Sequence, residues 1–113
     1  MKLLKEWIYK DSICAITENE LVHILCGYAS VTADHPLFGK KYHDIEFHSI
    51  HGGLTYSGDA LNYPVISSKG SFWWFGFDFG HYGDFDVNIE DVVKEAEKLA
   101  DILFLYIDPY IFI

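Results

Sequence analysis

Hydrophobic residues fall into short β-rich runs, and a single helical stripe follows them. Residues 6–10, 12–17 and 21–31 are rich in β-branched, aromatic and other apolar side chains. Residues 72–79, FWWFGFDF, form the most apolar of these runs. Runs of this length and composition predict strands. Residues 48–57, HSIHGGLTYS, predict a further strand, which its two interior glycines weaken.

The C-terminal part of the chain predicts one helix. Asn88 is a suitable N-cap, and Glu90 and Asp91 fall in the first turn, where the helix dipole favours negative charge. An apolar stripe follows at helical spacing: Ile89, Val92, Val93, Ala96, Leu99, Ala100 and Leu103. The polar residues between them are expected to face water: Lys94, Glu95, Glu97, Lys98 and Asp101. The tail, residues 104–113, is nearly all apolar, so we expect it to be an extra strand or an oligomer contact.

These elements predict an α+β fold, an antiparallel sheet of about four to five strands with one C-terminal helix packed on it. Residues 32–47 and 58–71 are interpreted as long loops, and residues 80–86 as a turn rich in Gly and Asp. No linker divides the chain, so residues 1–113 are expected to form a single domain.

Charge narrows the classes of function. The 113 residues include eight Lys, no Arg and 17 acidic residues, for a net charge of −9. Phosphate neutralisation dominates nucleic-acid affinity, so we expect no direct nucleic-acid binding. No apolar run approaches the roughly 20 residues of a transmembrane helix, and the first residues do not form a signal peptide. Cys14 and Cys26 are too few for a fold held together by disulfides, which fits a reducing compartment. Together these features indicate a cytoplasmic protein.

Strand alternation predicts a pocket. In residues 72–79, one face carries Trp73 and every second residue to Phe79, and we assign this face to the core. The opposite face carries Trp74 and Asp78, with Gly76 between them. If residues 48–57 form a neighbouring strand, their polar face converges on the same surface. An aromatic wall, small residues and a few polar groups are typical of a ligand pocket.

The predicted ligand-binding residues come from that surface, the following turn and the first long loop. Trp74 would stack on the ligand, Thr55 and Ser57 would bond to it, and Lys40 and Lys41 would supply positive charge. The full set is His51, Gly52, Gly53, Thr55, Ser57, Trp74, Asp78, His81, Asp84, Lys40 and Lys41. An ordinary solvent-exposed strand face explains the same alternation, and that alternative stays open.

Metal and nucleophile chemistry have weaker support. His48 and His51 are three residues apart, so on a strand they point to opposite faces, and no HExxH or CxxC motif is present. We therefore expect no metal and no cofactor. HGGLT resembles the oxyanion loop of lipases, but the chain has no GxSxG elbow. A His51–Asp78 pair is a conceivable general base.

Several longer segments carry a resemblance. HGGLTYSG at 51–58 and WWFGFDFGHYGD at 73–84, with CGYASV and HPLFGKKYHDI upstream, resemble a family of small bacteriophage and prophage proteins. The resemblance covers roughly residues 24–103. It implies a phage origin and a location in the cytoplasm of the host cell, and it places most of the predicted pocket in the family's signature segments.

Three functions remain open. The first is a binding protein that evades host defence by sequestering a nucleotide-like small molecule, acting as a homo-oligomer. The second is a small His/Asp-based hydrolase, with or without a metal. The third is an inhibitor of a host defence enzyme that acts through the acidic surface of residues 78–108. We favour the first function, and whether the protein is an enzyme stays undecided at this point.

Overall fold

The fold is a five-stranded antiparallel sheet with one helix on one of its faces, as the sequence predicted. The computed structural model describes residues 2–45, 47, 49–59, 71–80 and 87–106. The strands are β1 (Lys2–Tyr9), β2 (Ser12–Asn19), β3 (Ile24–Thr32), β4 (Tyr56–Gly58) and β5 (Phe72–Asp78). Their order across the sheet is β1-β2-β3-β5-β4.

Strand β5 confirms its prediction closely, whereas the predicted strand over residues 48–57 is mostly wrong. Within the described part of this segment, only Tyr56–Gly58 pairs with β5 as a strand, and residues 49–55 form turns and irregular backbone. Gly52 and Gly53 have φ angles of 67° and 76°. A strand requires negative φ, so these two glycines end the extended conformation and start a turn.

Helix α1 (Ile89–Leu105) begins at the predicted cap. Asn88 accepts a hydrogen bond from the Asp91 N–H at 3.0 Å, and the Asp91 carboxylate accepts one from the Asn88 N–H at 3.3 Å. This capping box satisfies two backbone donors that a helix start otherwise leaves unpaired. Among the described residues, no helix is long and apolar enough to cross a bilayer.

The end of α1 differs from the prediction. The helix includes Phe104 and Leu105, which the sequence had placed in the tail, and their side chains are 53% and 70% exposed. Residues 107–113 of the predicted tail lie outside the described residues, so neither role proposed for the tail is tested.

The main core lies between the sheet and α1. Phe75 and Phe77 of β5 are almost completely buried there, and Trp73 and Phe79 pack against them, as the predicted core face requires. The helix contributes its apolar stripe to this core, with five residues fully buried: Val92, Ala96, Leu99, Ala100 and Leu103. This face of the sheet is called the helix face below.

Polar residues of α1 fasten the edge strand β1. The Glu97 carboxylate accepts a hydrogen bond from Trp7 Nε1 at 3.0 Å. The Asp101 carboxylate accepts from the Tyr9 hydroxyl at 3.2 Å and pairs with the ammonium group of Lys10. The sequence had assigned Glu97 and Asp101 to the solvent-facing side of the helix. They instead hold the helix to an edge strand far away in the chain.

The second face of the sheet has an aromatic core of its own. Trp74 is fully buried there, and it belongs to one cluster with Ile13, Ala15 and Tyr28. Both faces of the central strands are therefore packed. The alternation in residues 72–79 separates two cores rather than a core from an open surface.

Two glycines make this double packing possible. Gly27 lies opposite Phe77 on the helix face, and Gly76 lies opposite Tyr28 on the second face. A Cβ atom on Gly27 would lie 2.4 Å from Phe77 Cζ, and one on Gly76 would lie 2.5 Å from Tyr28 Cδ1. Each glycine therefore makes room for the aromatic ring of its cross-strand partner. The sequence had suggested that Gly76 leaves space for a ligand, but the Tyr28 ring fills that space.

Candidate functional site

A loop layer covers the β4–β5 side of the sheet. It consists of residues 33–45 and 49–55. Leu37 and Ile50 anchor it by burying their side chains in the main core, with exposures of 5% and 2%. The segment predicted as a long loop thus supplies core residues as well as surface.

Hydrogen bonds fix the first half of the loop layer to the sheet. Trp73 Nε1 donates to the carbonyl oxygen of Lys40 at 2.8 Å. The Tyr42 N–H donates to the Ser57 hydroxyl oxygen at 2.9 Å. A 3₁₀ helix, Tyr42–Asp44, begins at this second bond. These two hydrogen bonds therefore set the position of the 3₁₀ helix relative to β4 and β5.

The second half of the loop layer is a turn held by α1. The Gly53 N–H donates to the Ile50 carbonyl oxygen at 2.8 Å and closes the turn. The His51 N–H donates to the Glu95 carboxylate at 2.6 Å, and the Lys98 ammonium donates to the Ser49 carbonyl oxygen. A carboxylate that accepts a backbone N–H makes a strong, charge-assisted bond. Helix α1 therefore fixes the orientation of this turn, which contains His51, Gly52 and Gly53 and is called the HGG turn below.

A groove opens between the two halves of the loop layer. Its volume is about 530 Å³, within the usual range for small-molecule sites. We call it the loop groove, and its lining residues are Tyr42, His43, Ile45, Phe47, Ile50, Gly52, Gly53 and Leu54. A smaller cavity of about 350 Å³ adjoins it, shares Ile45 and Phe47 with it, and also includes Lys40 and Asp44.

Aromatic rings and exposed backbone dominate the loop groove. The rings of Tyr42 and His43 meet edge to face, with their centroids 5.0 Å apart. A Cβ atom added to Gly53 would meet nothing within 4 Å, so the backbone is open to the groove at this point. The Gly53 N–H is already bonded to the Ile50 carbonyl oxygen, however, so it is not free to donate to a ligand.

The predicted pocket does not assemble around Trp74. Trp74 lies on the second face and is fully buried in its cluster. His51 lies on the helix face, where its ring stacks on Phe79 at a centroid distance of 4.2 Å. The sheet therefore separates His51 from Trp74. The expected convergence fails because the residues around His51 form a turn, so strand alternation does not apply to them.

The other predicted residues are distributed around β4 and β5. Ser57 pairs with Phe75, on the helix face, and its hydroxyl bonds to the loop layer. Thr55 is exposed and donates its N–H to the Gly76 carbonyl oxygen at 2.8 Å. Asp78 lies opposite Cys26 at the end of β5 and accepts a bond from the Gly80 N–H at 2.9 Å.

Of the predicted set, Gly52 and Gly53 line the loop groove. Lys40 lines the adjoining cavity, and Lys41 is exposed on the same segment. His81 and Asp84 lie outside the described residues. Whether any member of the set binds a ligand stays a prediction.

The sequence reasoning missed most of the aromatic wall of the groove. Tyr42 and His43 were present in the upstream segment HPLFGKKYHDI, which carried the resemblance to phage proteins, but they had been assigned to a long loop and not to the predicted pocket. Glu95 and Lys98 had been assigned to solvent. The signal available was that HPLFGKKYHDI carried the resemblance together with HGGLTYSG, which made both segments candidates for the same site.

The two thiols are poor nucleophiles. Burial raises the pKa of Cys14 to about 12. Burial, with the nearby Asp78 carboxylate, also raises the pKa of Cys26. Raised pKa values keep both groups in the unreactive thiol form at neutral pH. Within the described ranges, no group of three or more His, Cys, Asp or Glu side chains is placed to hold a metal ion.

Comparison with known proteins gives no match: no family model, no curated protein and no solved structure matches this chain. The resemblance to small bacteriophage and prophage proteins therefore stays a prediction.

Proposed function

We propose that this protein is a non-catalytic binding protein that captures a small, flat, nucleotide-like molecule in the loop groove. The observation that carries the proposal is the groove itself, about 530 Å³ in volume and bordered by Gly52 and Gly53. Both glycines belong to HGGLTYS, one of the segments that resemble phage proteins.

The lining chemistry suits a planar ring. Tyr42 and His43 offer aromatic faces and edges, and stacking of a base on an aromatic side chain is typically worth about 1–3 kcal/mol. Ile50 and Leu54 supply apolar surface below. The positive φ angles of Gly52 and Gly53 give the turn a backbone conformation that residues with a Cβ avoid. A ring can therefore approach the main chain closely.

Charge around the groove favours a ligand with one negative charge rather than several. Lys40 lines the adjoining cavity and Lys41 lies exposed beside it, so two ammonium groups are near. Asp44 lies in the same cavity and opposes them. The chain has no Arg with which to clamp a phosphate through two parallel hydrogen bonds.

The biological setting of the proposal comes from the resemblance. A phage protein that sequesters a small signalling molecule in the host cytoplasm would deprive host defence of its messenger. We propose in addition that the protein is a homo-oligomer. The exposed Leu105 at the end of α1 supports this, because such an assembly would cover its apolar side chain.

The alternative functions have less support. Three acidic residues of the surface proposed for an inhibitor are engaged within the molecule, Glu95 with the HGG turn and Glu97 and Asp101 with β1. Less of the negative charge on that surface is therefore available to contact a host enzyme. For a hydrolase, the flat stacking of His51 on Phe79 restricts the motion of the imidazole ring.

The test is a titration of ¹⁵N-labelled protein with cyclic AMP, which has one base and one negative charge, followed by NMR. We expect the largest amide shifts in residues 42–45 and 50–54. His43→Asn removes a ring that lines the groove and should weaken binding about fivefold to a hundredfold. His23→Asn is the matched control, because His23 is an exposed histidine in the β2–β3 turn.

Two further probes sharpen the result. Adenosine has the same base but no negative charge. ATP has several more negative charges, which Lys40 and Lys41 alone are not expected to balance. Absence of shifts in the loop layer for all three compounds would refute a nucleotide-like ligand in this groove. Equal losses for His43→Asn and His23→Asn would show that the groove is not the binding site.

A further inference from the structure

A second cavity lies at one end of the sheet. It has a volume of about 530 Å³ and is bounded by the β1–β2 turn, the end of β3 and the end of α1. We call it the end cavity. It shares no lining residue with the loop groove, and the residues that matter here are Asp11, Ser12, Ser30, Thr32, Asp34 and Phe104.

Two buried hydroxyl groups form the polar part of the end cavity. Ser30 is 1% exposed and Ser12 is 7% exposed. The Ser12 hydroxyl donates to the Ser30 carbonyl oxygen at 2.9 Å, and the Ser30 hydroxyl oxygen accepts from the Ile13 N–H at 3.0 Å. No other bond of these two hydroxyls occurs among the described residues, so the Ser30 proton and the Ser12 lone pairs remain available.

Available hydroxyl capacity in a buried position favours a polar ligand atom. Each serine hydroxyl already makes one hydrogen bond, and each can make a second because a hydroxyl group both donates and accepts. A ligand hydroxyl could accept the Ser30 proton and donate its own proton to Ser12. The floor of the end cavity therefore matches a hydroxyl group, which can fill both roles at once.

The rim of the end cavity is negatively charged. Asp11 and Asp34 are both exposed, and they lie on two different turns that border the cavity. A hydrogen bond from the Thr32 hydroxyl lowers the pKa of Asp34, so this carboxylate stays ionised at neutral pH. Lys10, which precedes Asp11 in the chain, is already paired with Asp101. Neither rim carboxylate forms a salt bridge within the described part of the chain.

An aromatic side chain stands beside the carboxylates. Phe104 is 53% exposed, and the Lys10 ammonium lies 5.6 Å from the centre of its ring. Aromatic rings of this kind attract cations through the negative potential of their faces. A metal ion fits the cavity less well, because both ring nitrogens of the neighbouring His35 are engaged, one with the Leu103 carbonyl oxygen and one with the Leu37 N–H.

We propose that the end cavity binds a small organic ammonium compound whose other end carries a hydroxyl group. The ammonium group lies between Asp11 and Asp34 on the rim, the hydrocarbon body packs on Phe104, and the hydroxyl group reaches Ser12 and Ser30. This site does not depend on the nucleotide-like ligand of the loop groove, which has the opposite charge.

Tyramine is the probe, because it joins an ammonium group to a phenol through a short hydrocarbon body. Its matched control is 3-(4-hydroxyphenyl)propionate, which has a carboxylate in place of the ammonium group. In an NMR titration of the full chain, we expect tyramine to shift the amides of residues 11–12, 30–34 and 103–104. The anionic control should shift none of them.

Two charge variants test the rim. Asp11→Asn and Asp34→Asn keep the size of the side chain and remove its charge, and each should weaken tyramine binding about fivefold. The control variant Glu20→Gln removes one exposed carboxylate from the β2–β3 turn, at the far end of β2, and should leave the affinity unchanged.

The outcomes are distinct. Shifts confined to the end cavity, lost stepwise in the two Asn variants and weakened by added salt, support the proposal. Three results would overturn it: equal binding of the anionic control, tyramine shifts outside the end cavity, or an unchanged affinity in the double Asn variant. Thermal unfolding of each variant confirms that a lost affinity does not reflect a lost fold.

Discussion

Replacing Trp74 by Ala tests whether this residue belongs to a core or to a binding surface. Trp74 is fully buried among Ile13, Ala15 and Tyr28. A tryptophan side chain buries about 200 Å², and at about 25 cal/mol per Å² this corresponds to roughly 5 kcal/mol of stability. Measured substitutions of buried Trp by Ala give about 3–5 kcal/mol. We therefore expect Trp74→Ala to lose about 4 kcal/mol, a large part of the roughly 5–15 kcal/mol by which a domain is stable.

The neighbouring tryptophan is the matched control. Trp73 is half-buried on the helix face and donates one hydrogen bond to the Lys40 carbonyl oxygen. With about half of the buried area, worth about 2.5 kcal/mol, and one bond worth about 1 kcal/mol, Trp73→Ala should cost about 3.5 kcal/mol, against about 5 kcal/mol for Trp74→Ala from the same area relation. Urea unfolding followed by far-UV circular dichroism measures both values without depending on tryptophan emission. A loss for Trp74→Ala no larger than that for Trp73→Ala would refute the second core.

Three further predictions follow from packing and charge. Gly76→Ala should lose about 1–3 kcal/mol in urea unfolding, because its Cβ would lie 2.5 Å from the Tyr28 ring; replacing Tyr28 by Leu in the same chain should recover part of the loss, and no recovery would contradict the ring contact. Cys14, with a pKa raised to about 12 by burial, should react with iodoacetamide at about pH 8 only after unfolding; fast labelling of the native protein would contradict this burial. The Lys10 ammonium lowers the pKa of Asp101, so this carboxylate stabilises the fold above its unfolded pKa, and the stabilisation disappears as the pH falls through the folded pKa. The stability difference between wild type and Asp101→Asn should therefore shrink from about pH 7 to about pH 3, and a constant difference would show that the charge is not involved.

Local sequence was sufficient to predict the elements that have a regular hydrophobic pattern or a clear boundary residue. The α1 helix follows from its apolar stripe and from Asn88, because capping and helical spacing act within a few residues of each other. Strand β5 follows from its continuous run of aromatic residues. The assignment of Phe75 and Phe77 to the helix face follows from the two-residue period of a strand, which depends on no distant contact.

The HGG turn was the main local error. HSIHGGLTYS alternates well enough to resemble a strand, yet Gly52 and Gly53 both adopt positive φ. Glycine is compatible with a bulge, a close approach or a turn, and composition does not distinguish among them. The contacts that select the turn come from Glu95 and Lys98, more than 40 residues further along the chain.

The candidate sites depended on contacts between distant segments. A single strand pattern shows which residues share a face, but it does not show whether that face is open, and here Tyr28 and Ile13 cover the face that carries Trp74. The loop groove joins residues 42–47 to residues 50–54, and the end cavity joins the β1–β2 turn to the end of α1. Periodicity and capping are short-range properties, so the chain displays them directly, whereas cavities arise only where separate segments pack together.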